Sequence, residues 1–200
     1  FGLMGFYPME DAYTLNQPHT RFPSHTDRKL TPGVDLTTGS LGQGASTAAG
    51  AALGNRIDGR TNHVFCVVGD GEADEGQVWE AFHFAYAHKL DNLIYIIDNN
   101  GYQLDGKTAD ILDHGDIAKK AAGFGLYTQE IDGHDVEAIY QAIQNAYDKK
   151  GVPSCIVLNT VKAKGATFAE PKHEHSSQPS EEQWQEAIAF AERALQEVEK

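Results

Sequence analysis

The stretch that most constrains the fold is residues 64–100, where two apolar runs each end in a short polar motif. The run at 64–68 is followed by GDG at 69–71, and the run at 93–97 is followed by DNN at 98–100. The segment between them has the apolar periodicity of a helix. Two buried strands joined by a crossover helix form a parallel βαβ unit, which brings both carboxyl ends to one edge of the sheet. The sequence therefore predicts that the two polar motifs meet at that edge.

Asp70 and Asn100 are the side chains of these motifs that suit a ligand. Open α/β sheets bind ligands in the crevice beyond the carboxyl ends of their strands. Carboxylate and carboxamide oxygens are hard ligands for Mg²⁺ or Ca²⁺, and the glycines at 69 and 71 leave room for a ligand to approach main-chain N–H groups. We interpret the pair as a site for a metal-bound diphosphate. Two ordinary turns of an α/β domain are the alternative, because Gly-Asp-Gly is also a common turn sequence.

Residues 1–200 are predicted to form a single α/β domain, with a mainly parallel sheet and helices on both faces. Two further strands are predicted, at 126–131 and at 153–161, and the SCIVLNTV core of the second suits a buried position. Between them, residues 135–149 show the spacing of an amphipathic helix. The remaining helices are predicted at residues 45–53, 76–89, 116–122 and 180–199.

Two segments are predicted to be irregular. Residues 1–38 contain several prolines and show no sustained periodicity. Residues 101–116 form a long loop, and loops of that length are often functional. The chain opens at Phe1 without an initiating methionine and already resembles the inside of a domain, so we expect a truncated or processed amino terminus.

Charge and cysteine content exclude several classes of protein. A net charge of −13 argues against a nucleic-acid or anionic-membrane partner, since both need basic surface. No stretch reaches the roughly 18 apolar residues of a membrane span. Cys66 and Cys155 each lie in an apolar run, which indicates buried thiols rather than a disulfide framework or a zinc site. A reducing, cytoplasmic setting is expected.

Five motifs in order, TTGSLGQG, GDGEADEG, DNNGYQLDG, EIDGHD and NTVKAKG, resemble those of the transketolase family. Residues 72–99, which number 28, separate the GDG motif from Asn100, and that spacing resembles the thiamine diphosphate motif of these enzymes. The chain looks most like the amino-terminal, diphosphate-binding subunit of split, two-chain transketolases. TTGSLGQG separates it from the alpha subunits of 2-oxo acid dehydrogenases, which share only the GDG and NN parts.

The resemblance implies a metal and diphosphate site. Asp70 and Asn100 would ligate Mg²⁺ (or Ca²⁺) through side-chain oxygens, and Tyr102 through its main-chain carbonyl. The diphosphate of thiamine diphosphate would bind at Asp70 and Asn100 and at the glycines beside Asp70. Of these, Gly69 would line the site and Gly71 would donate its N–H to the diphosphate.

Further positions are implied around that site. Gly39 and Leu41 would touch the aminopyrimidine through main-chain groups. Glu75 matches a family carboxylate buried near the dimer interface and linked to the cofactor pocket of the other subunit. The neighbouring carboxylates, Glu72 and Asp74, are interpreted as favourable partners of the helix dipole only.

Histidines are the candidates for proton transfer, because imidazole exchanges protons near neutral pH. His25, in SHTDRKLTPG, matches the family histidine beside the reacting carbon. His175 stands four residues before Pro179, as the family's substrate-channel histidine stands before its proline, and His173 is its rival. The HxH pair that they form could instead bind a metal, although no third ligand neighbours it.

The resemblance implies a transferase of two-carbon ketol units between phosphorylated sugars, of the pentose phosphate kind. Its partner would be a pyrimidine-binding, carboxyl-terminal transketolase subunit, in a homodimer or a heterotetramer, and the chain alone would be inactive. Three alternatives stay open. They are a non-catalytic thiamine diphosphate-binding or assembly subunit, a subunit of a deoxyxylulose-phosphate synthase, and a subunit of a 2-oxo acid dehydrogenase.

Overall fold

A computed structural model of the chain describes residues 1–104, 106–172, 175–176 and 178–198. Among these residues the strands are β1 (Val64–Gly69), β2 (Leu93–Asn99), β3 (Tyr102–Gln103), β4 (Gly106–Lys107), β5 (Tyr127–Asp132) and β6 (Ser154–Asn159). The α-helices are α1 (Gln43–Ile57), α2 (Gly76–Ala87), α3 (Thr108–Ile111), α4 (Ile117–Gly123), α5 (Val136–Asp148) and α6 (Glu181–Val198). Two short 3₁₀ helices lie at Met9–Thr14 and Glu72–Asp74.

Four of the described strands form a parallel sheet in the order β1-β2-β6-β5. Helix α2 connects β1 to β2, so the predicted βαβ unit is confirmed. In the register of the sheet Gly69 lies opposite Asp98, and Asn99 lies opposite Asn159. The carboxyl ends of all four strands therefore share one edge, and Asp70 and Asn100 follow directly beyond it.

Helices cover both faces of the sheet, which confirms the predicted fold class. On one face, small side chains of α1 pack with α2 and α4 against Cys66, Tyr95 and Cys155. On the other face, α5 contributes Ala142 and Ala146 to a smaller cluster. The alanines of α1 let that helix lie close to the sheet, where the hydroxyl of Tyr95 donates to the carbonyl of Ala45 at 3.1 Å. The sheet thereby fixes the beginning of α1 and the glycine-rich turn before it.

The segment at 101–116 differs from the predicted loop. Strands β3 and β4 pair as an antiparallel hairpin, and helix α3 begins immediately after it. Elements of two to four residues are too short to produce a periodic apolar pattern, which is why the sequence did not reveal them. Gly101 begins the segment with φ 75°, a left-handed conformation that glycine adopts without strain. The hairpin folds the chain back over the edge of the sheet.

None of the helices in the described ranges has the length and apolar character needed to cross a membrane. Both cysteines are buried and free, as predicted. Residues 1–38 contain turns and the 3₁₀ helix at Met9–Thr14. Helix α6 occupies most of the predicted 180–199 segment, with residue 199 outside the described residues.

Candidate cofactor site

A cleft of about 570 Å³ lies beyond the carboxyl ends of β1 and β2. Its lining contains the three predicted metal ligands together with most of the other predicted site residues, namely Asp70, Asn100, Tyr102, Gly69, Gly71, Leu41, Glu75 and His175. A larger cavity of about 650 Å³ lies between α1 and β1, and none of the predicted site residues lines it. The tertiary structure thus gathers these residues from four separate parts of the chain around one space.

Asp70 is the most deeply buried of these groups, with 1% of its surface exposed. Its Oδ1 accepts the N–H of Gly71 at 3.0 Å. Its Oδ2 accepts the N–H of Gly101 at 2.8 Å and the hydroxyl of Thr108 at 3.0 Å. Three donors make the burial of this carboxylate tolerable, since a buried charge must be hydrogen-bonded or bind a metal. The N–H of Gly71 is therefore already engaged, and a diphosphate oxygen would have to share it.

Asn100 is held in one orientation by its neighbours. Its Nδ2 donates to Asp98 Oδ2 at 3.2 Å, and its Oδ1 accepts the N–H of Tyr102 at 3.0 Å. Asp98 also accepts a hydrogen bond from the Thr160 hydroxyl. Because a carboxylate can only accept and an N–H can only donate, this network fixes which end of the carboxamide is oxygen. This oxygen has a second lone pair besides the one that accepts the Tyr102 N–H.

The donor set fits a hard divalent cation. Asp70, Asn100 and Tyr102 all line the cleft, and Mg²⁺ and Ca²⁺ prefer the carboxylate, carboxamide and main-chain carbonyl oxygens that these residues carry. Among the described residues, no group of three or more His, Cys, Asp and Glu side chains could hold an ion. A cation site in this part of the chain would therefore draw on amide or main-chain oxygen as well.

The charge of the cleft supports the same conclusion. Among the described residues that line it, four carry carboxylates, Asp70, Glu72, Asp74 and Glu75, and one, Lys162, carries an ammonium. Burial, with a smaller contribution from the Asp70 carboxylate, raises the pKa of Asp74 above its ordinary value. An anionic diphosphate would be repelled by this wall unless a cation lay between them.

Glu72 has a role that the sequence did not indicate. One carboxylate oxygen accepts the N–H of Gly42 at 2.9 Å, and the other accepts the N–H of Gly69 at 3.1 Å. The prediction that Glu72 interacts only with the helix dipole is therefore incomplete. The carboxylate joins the glycine-rich turn before α1 to the end of β1, so two walls of the cleft are connected.

Gly39 and His25 lie side by side, although neither belongs to the lining of the cleft. Gly39 has φ 140°, and a Cβ built on it would lie 2.8 Å from the His25 ring. Leu41, two residues further on, borders the cleft with 58% of its surface exposed. The turn therefore brings Leu41 to the cleft and packs the His25 ring against Gly39.

His175 and Glu75 lie in the cleft wall and are exposed. The rival histidine, His173, lies outside the described residues. Glu75 stands at the start of α2 and packs beside the turn, since a Cβ on Gly42 would lie 3.0 Å from its Cβ.

Sequence reasoning missed Lys162, Thr108 and Gln103. Lys162 borders the cleft, and the preceding N–H, of Val161, donates to His134 Nε2 at 2.8 Å. Lys162 lies within the motif NTVKAKG, just after a buried strand, and that position could have identified it as a candidate site residue. The side chain of Gln103 lies against Gly71. A Cβ built on Gly71 would lie only 2.4 Å from the Cβ of Gln103. Only the hairpin fold brings Gln103 and Thr108 to this place.

Comparisons with known proteins agree with this geometry. The family model described as "Transketolase, thiamine diphosphate binding domain" matches residues 1–190. A 6-deoxy-6-sulfo-D-fructose transketolase subunit of Clostridium sp. strain MSTE9 is 45% identical over 192 residues, which cover 96% of this chain and 70% of the relative. An apulose-4-phosphate transketolase subunit of Actinobacillus succinogenes is 36% identical over 170 residues, covering 85% of this chain and 61% of the relative.

Among solved structures, the crystal structure of transketolase from Campylobacter jejuni superimposes with a TM-score of 0.85 at 32% identity. The superposition covers 91% of this chain and 30% of that enzyme. The chain therefore spans 70% and 61% of the two relatives and under a third of the solved enzyme.

Proposed function

The chain belongs to the transketolase family, as a thiamine diphosphate-binding domain of that family, and on this basis we propose that it is the diphosphate-binding subunit of a two-chain transketolase. The complete enzyme would transfer a two-carbon ketol unit from a ketose phosphate to an aldose phosphate. The observation that carries the proposal is the cleft in which Asp70, Asn100 and Tyr102 present hard oxygen atoms at the ends of two parallel strands.

The chain's own groups have distinct roles in this proposal. Asp70, Asn100 and the carbonyl of Tyr102 would hold Mg²⁺ (or Ca²⁺), which offsets the negative wall of the cleft. The ammonium of Lys162 and the N–H of Gly71 would bind diphosphate oxygens, because both are donors at the cleft. Bound thiamine diphosphate supplies the nucleophilic carbon and the electron sink for carbon–carbon cleavage.

Two histidines would handle protons of the sugar. His25, against the turn at Gly39, and His175, in the cleft wall, would each accept or donate a proton at a ring nitrogen facing a substrate hydroxyl. Gly39 and Leu41 would present main-chain groups to the aminopyrimidine. Glu75 would face the second half of the site across a subunit interface.

The sugar substrates are proposed from chemistry shared by the relatives' names. One relative is named for 6-deoxy-6-sulfo-D-fructose and another for apulose-4-phosphate, so each name carries a sugar with an anionic group. We propose phosphorylated sugars as donor and acceptor. A panel of ketose phosphates, a sulfonated ketose and 2-oxo acids, tested with the complete enzyme, distinguishes this proposal from a dehydrogenase-type subunit.

A second chain is required in this proposal. The two relatives are named as subunits, and the described residues of this chain place one cleft beyond the ends of β1 and β2, which we assign to the diphosphate half of the site. Phe84 and Tyr86 on α2 are 39% and 50% exposed, close in sequence to Glu75, and would lie at the interface. The partner would be a pyrimidine-binding transketolase subunit in a heterotetramer, or in an assembly built on a homodimer. We propose a cytoplasmic location because the two thiols are free.

Calorimetric titration with thiamine diphosphate tests the cofactor site. Binding is expected in Mg²⁺ and is expected to be lost in EDTA. Asp70→Ala is expected to abolish metal-dependent binding, whereas Asp148→Ala, which removes an exposed carboxylate at the end of α5, is expected to have no effect. Unchanged binding by Asp70→Ala contradicts the assignment.

Ketol transfer tests the partner. The isolated chain is expected to be inactive, and activity is expected when a pyrimidine-binding subunit is added. Turnover by the chain alone contradicts the two-chain proposal. Binding of the cofactor without any turnover in the assembled complex would instead support a non-catalytic assembly subunit.

A further inference from the structure

We infer that Thr108 is a positioning residue for the metal ligand Asp70, and that it leaves Oδ1 as the atom that ligates the cation. The inference rests on the proposed cofactor site. Thr108 would not touch the cation or the substrate. It would act through the carboxylate.

Thr108 is itself deeply buried, with 3% of its surface exposed, although it is a polar residue. Its hydroxyl lies 3.0 Å from Asp70 Oδ2, and the two residues are 38 positions apart in the chain. The main-chain N–H of Thr108 donates to the carbonyl of Gly101 at 3.0 Å, which closes the β3–β4 hairpin. The hairpin thus delivers one buried hydroxyl to one buried carboxylate.

The two oxygens of Asp70 are used unequally. Oδ2 accepts from Gly101 N–H and from the Thr108 hydroxyl, so both of its in-plane lone pairs are occupied. Oδ1 accepts only the N–H of Gly71 among the described residues, so one lone pair remains. Monodentate coordination through Oδ1 follows, because a bidentate carboxylate would need a lone pair that Thr108 already uses.

The hydroxyl also restricts rotation of the carboxylate. Hydrogen bonds to an ionised acceptor are stronger than those between neutral groups, and Thr108 is necessarily the donor since the carboxylate has no hydrogen to give. Mg²⁺ requires near-ideal octahedral geometry, so it is sensitive to the direction of each ligand. Without the hydroxyl, Oδ2 would keep the Gly101 N–H but gain an open lone pair, so Asp70 could present either oxygen to the cation.

Three variants test the role of the hydroxyl. Thr108→Val replaces the hydroxyl with a methyl group of similar size, Thr108→Ala removes it without adding bulk, and Thr108→Ser keeps it. Thr128→Val is the matched control, because its hydroxyl donates to the Leu126 carbonyl at 3.2 Å on β5, away from the cleft. Thermal unfolding without cation or cofactor establishes that each variant folds.

Mn²⁺ affinity in the presence of thiamine diphosphate, measured by calorimetry and by electron paramagnetic resonance, gives the readout. Thr108→Val and Thr108→Ala are expected to bind Mn²⁺ about 10–100-fold more weakly, the usual effect of losing a partner of a metal ligand. Thr108→Ser and Thr128→Val are expected to stay within about threefold of the wild-type affinity. At saturating Mn²⁺ the affinity of all variants for thiamine diphosphate should again be similar, which a general loss of structure would not produce.

Wild-type Mn²⁺ affinity in either hydroxyl-free variant that folds would overturn the inference and leave the proposed function intact. A wild-type chain that binds no Mn²⁺ with thiamine diphosphate would overturn both. If Thr108→Val fails to fold, Thr108→Ala decides the question, and equal losses in Thr108→Ser and Thr108→Ala would also overturn the role assigned to the hydroxyl.

Discussion

The carboxylate of Glu72 accepts a hydrogen bond from the N–H of Gly42 at 2.9 Å, across 30 positions of the chain. Its second oxygen accepts the N–H of Gly69 at 3.1 Å. One side chain therefore satisfies donors of two different elements, the turn before α1 and the end of β1. Since Gly42 is buried, its N–H has no access to solvent as an alternative partner. This arrangement makes the two walls of the cleft a single unit.

Glu72→Gln is expected to lower the free energy of unfolding by about 1–3 kcal/mol, because an amide has only one oxygen and its NH₂ group cannot accept the second N–H. Urea denaturation measures the change. Glu192→Gln, on an exposed position of α6, is the control and is expected to stay within about 0.5 kcal/mol of the wild type. A loss no larger than that of the control would show that the two hydrogen bonds contribute nothing measurable.

Gly71→Ala is expected to destabilise the chain by about 1–3 kcal/mol and to weaken binding of thiamine diphosphate, since the new methyl group would lie 2.4 Å from Gln103 Cβ. Backbone strain is not the cause, because Gly71 has φ −66°. The contact can be relieved by a second change. In the double variant Gly71→Ala, Gln103→Gly much of the loss should be recovered relative to the sum of the single variants, a coupling that a double-mutant cycle measures. If the stability losses of the two single variants simply add in the double variant, the clash is not between the new methyl group and Gln103.

His25→Asn is expected to separate binding from catalysis. The His25 ring packs against Gly39 and lies outside the cleft lining, so affinity for thiamine diphosphate should change by less than about threefold. Ketol transfer by the assembled two-chain enzyme should fall by about 10²–10⁴-fold, the usual contribution of a general acid or base. His19→Asn, at an exposed turn, is the matched control. If His25→Asn instead greatly weakens binding of thiamine diphosphate and leaves turnover by the cofactor-bound enzyme unchanged, the assignment of His25 to catalysis is wrong.

The two thiols are expected to make stability fall as the pH rises. Burial, with a smaller contribution from the Glu72 carboxylate, raises the pKa of Cys66 to about 12, and burial raises the pKa of Cys155 to about 12. Unfolded thiols ionise near about 8.5, so above that pH the unfolded state binds fewer protons than the folded state. Their stabilising effect is fully present below about pH 8.5 and is lost towards pH 12, at up to about 1.4 kcal/mol per pH unit for each thiol.

Urea unfolding between about pH 8 and pH 10.5 tests this dependence against the double variant Cys66→Ala, Cys155→Ala. The variant starts from a lower stability, because the substitutions leave small cavities. Its stability should nevertheless fall less steeply with pH than that of the wild type. Equal slopes for the two proteins would contradict the raised thiol pKa values.

Much of the sheet could be predicted because its strands are apolar runs bounded by glycine, aspartate and asparagine. The run predicted at 93–97 corresponds to strand β2, Leu93–Asn99. The strand predicted at 153–161 corresponds to β6, Ser154–Asn159. The polar residues after the first two runs marked the edge of the sheet at which the cleft lies. The hairpin at 102–107 was missed because its strands are two residues long, so no periodic pattern could form.

The sequence by itself determined the parallel βαβ unit and the meeting of Asp70 with Asn100, because strand direction and crossover follow from local patterns and chain geometry. Which donors surround those ligands was decided only by the tertiary structure. Thr108 and Gly101 reach Asp70, and Gly42 reaches Glu72, through hydrogen bonds between residues 30 or more positions apart. Such contacts leave no trace in a local pattern, since they depend on how a short hairpin and a glycine turn fold over the same edge of the sheet.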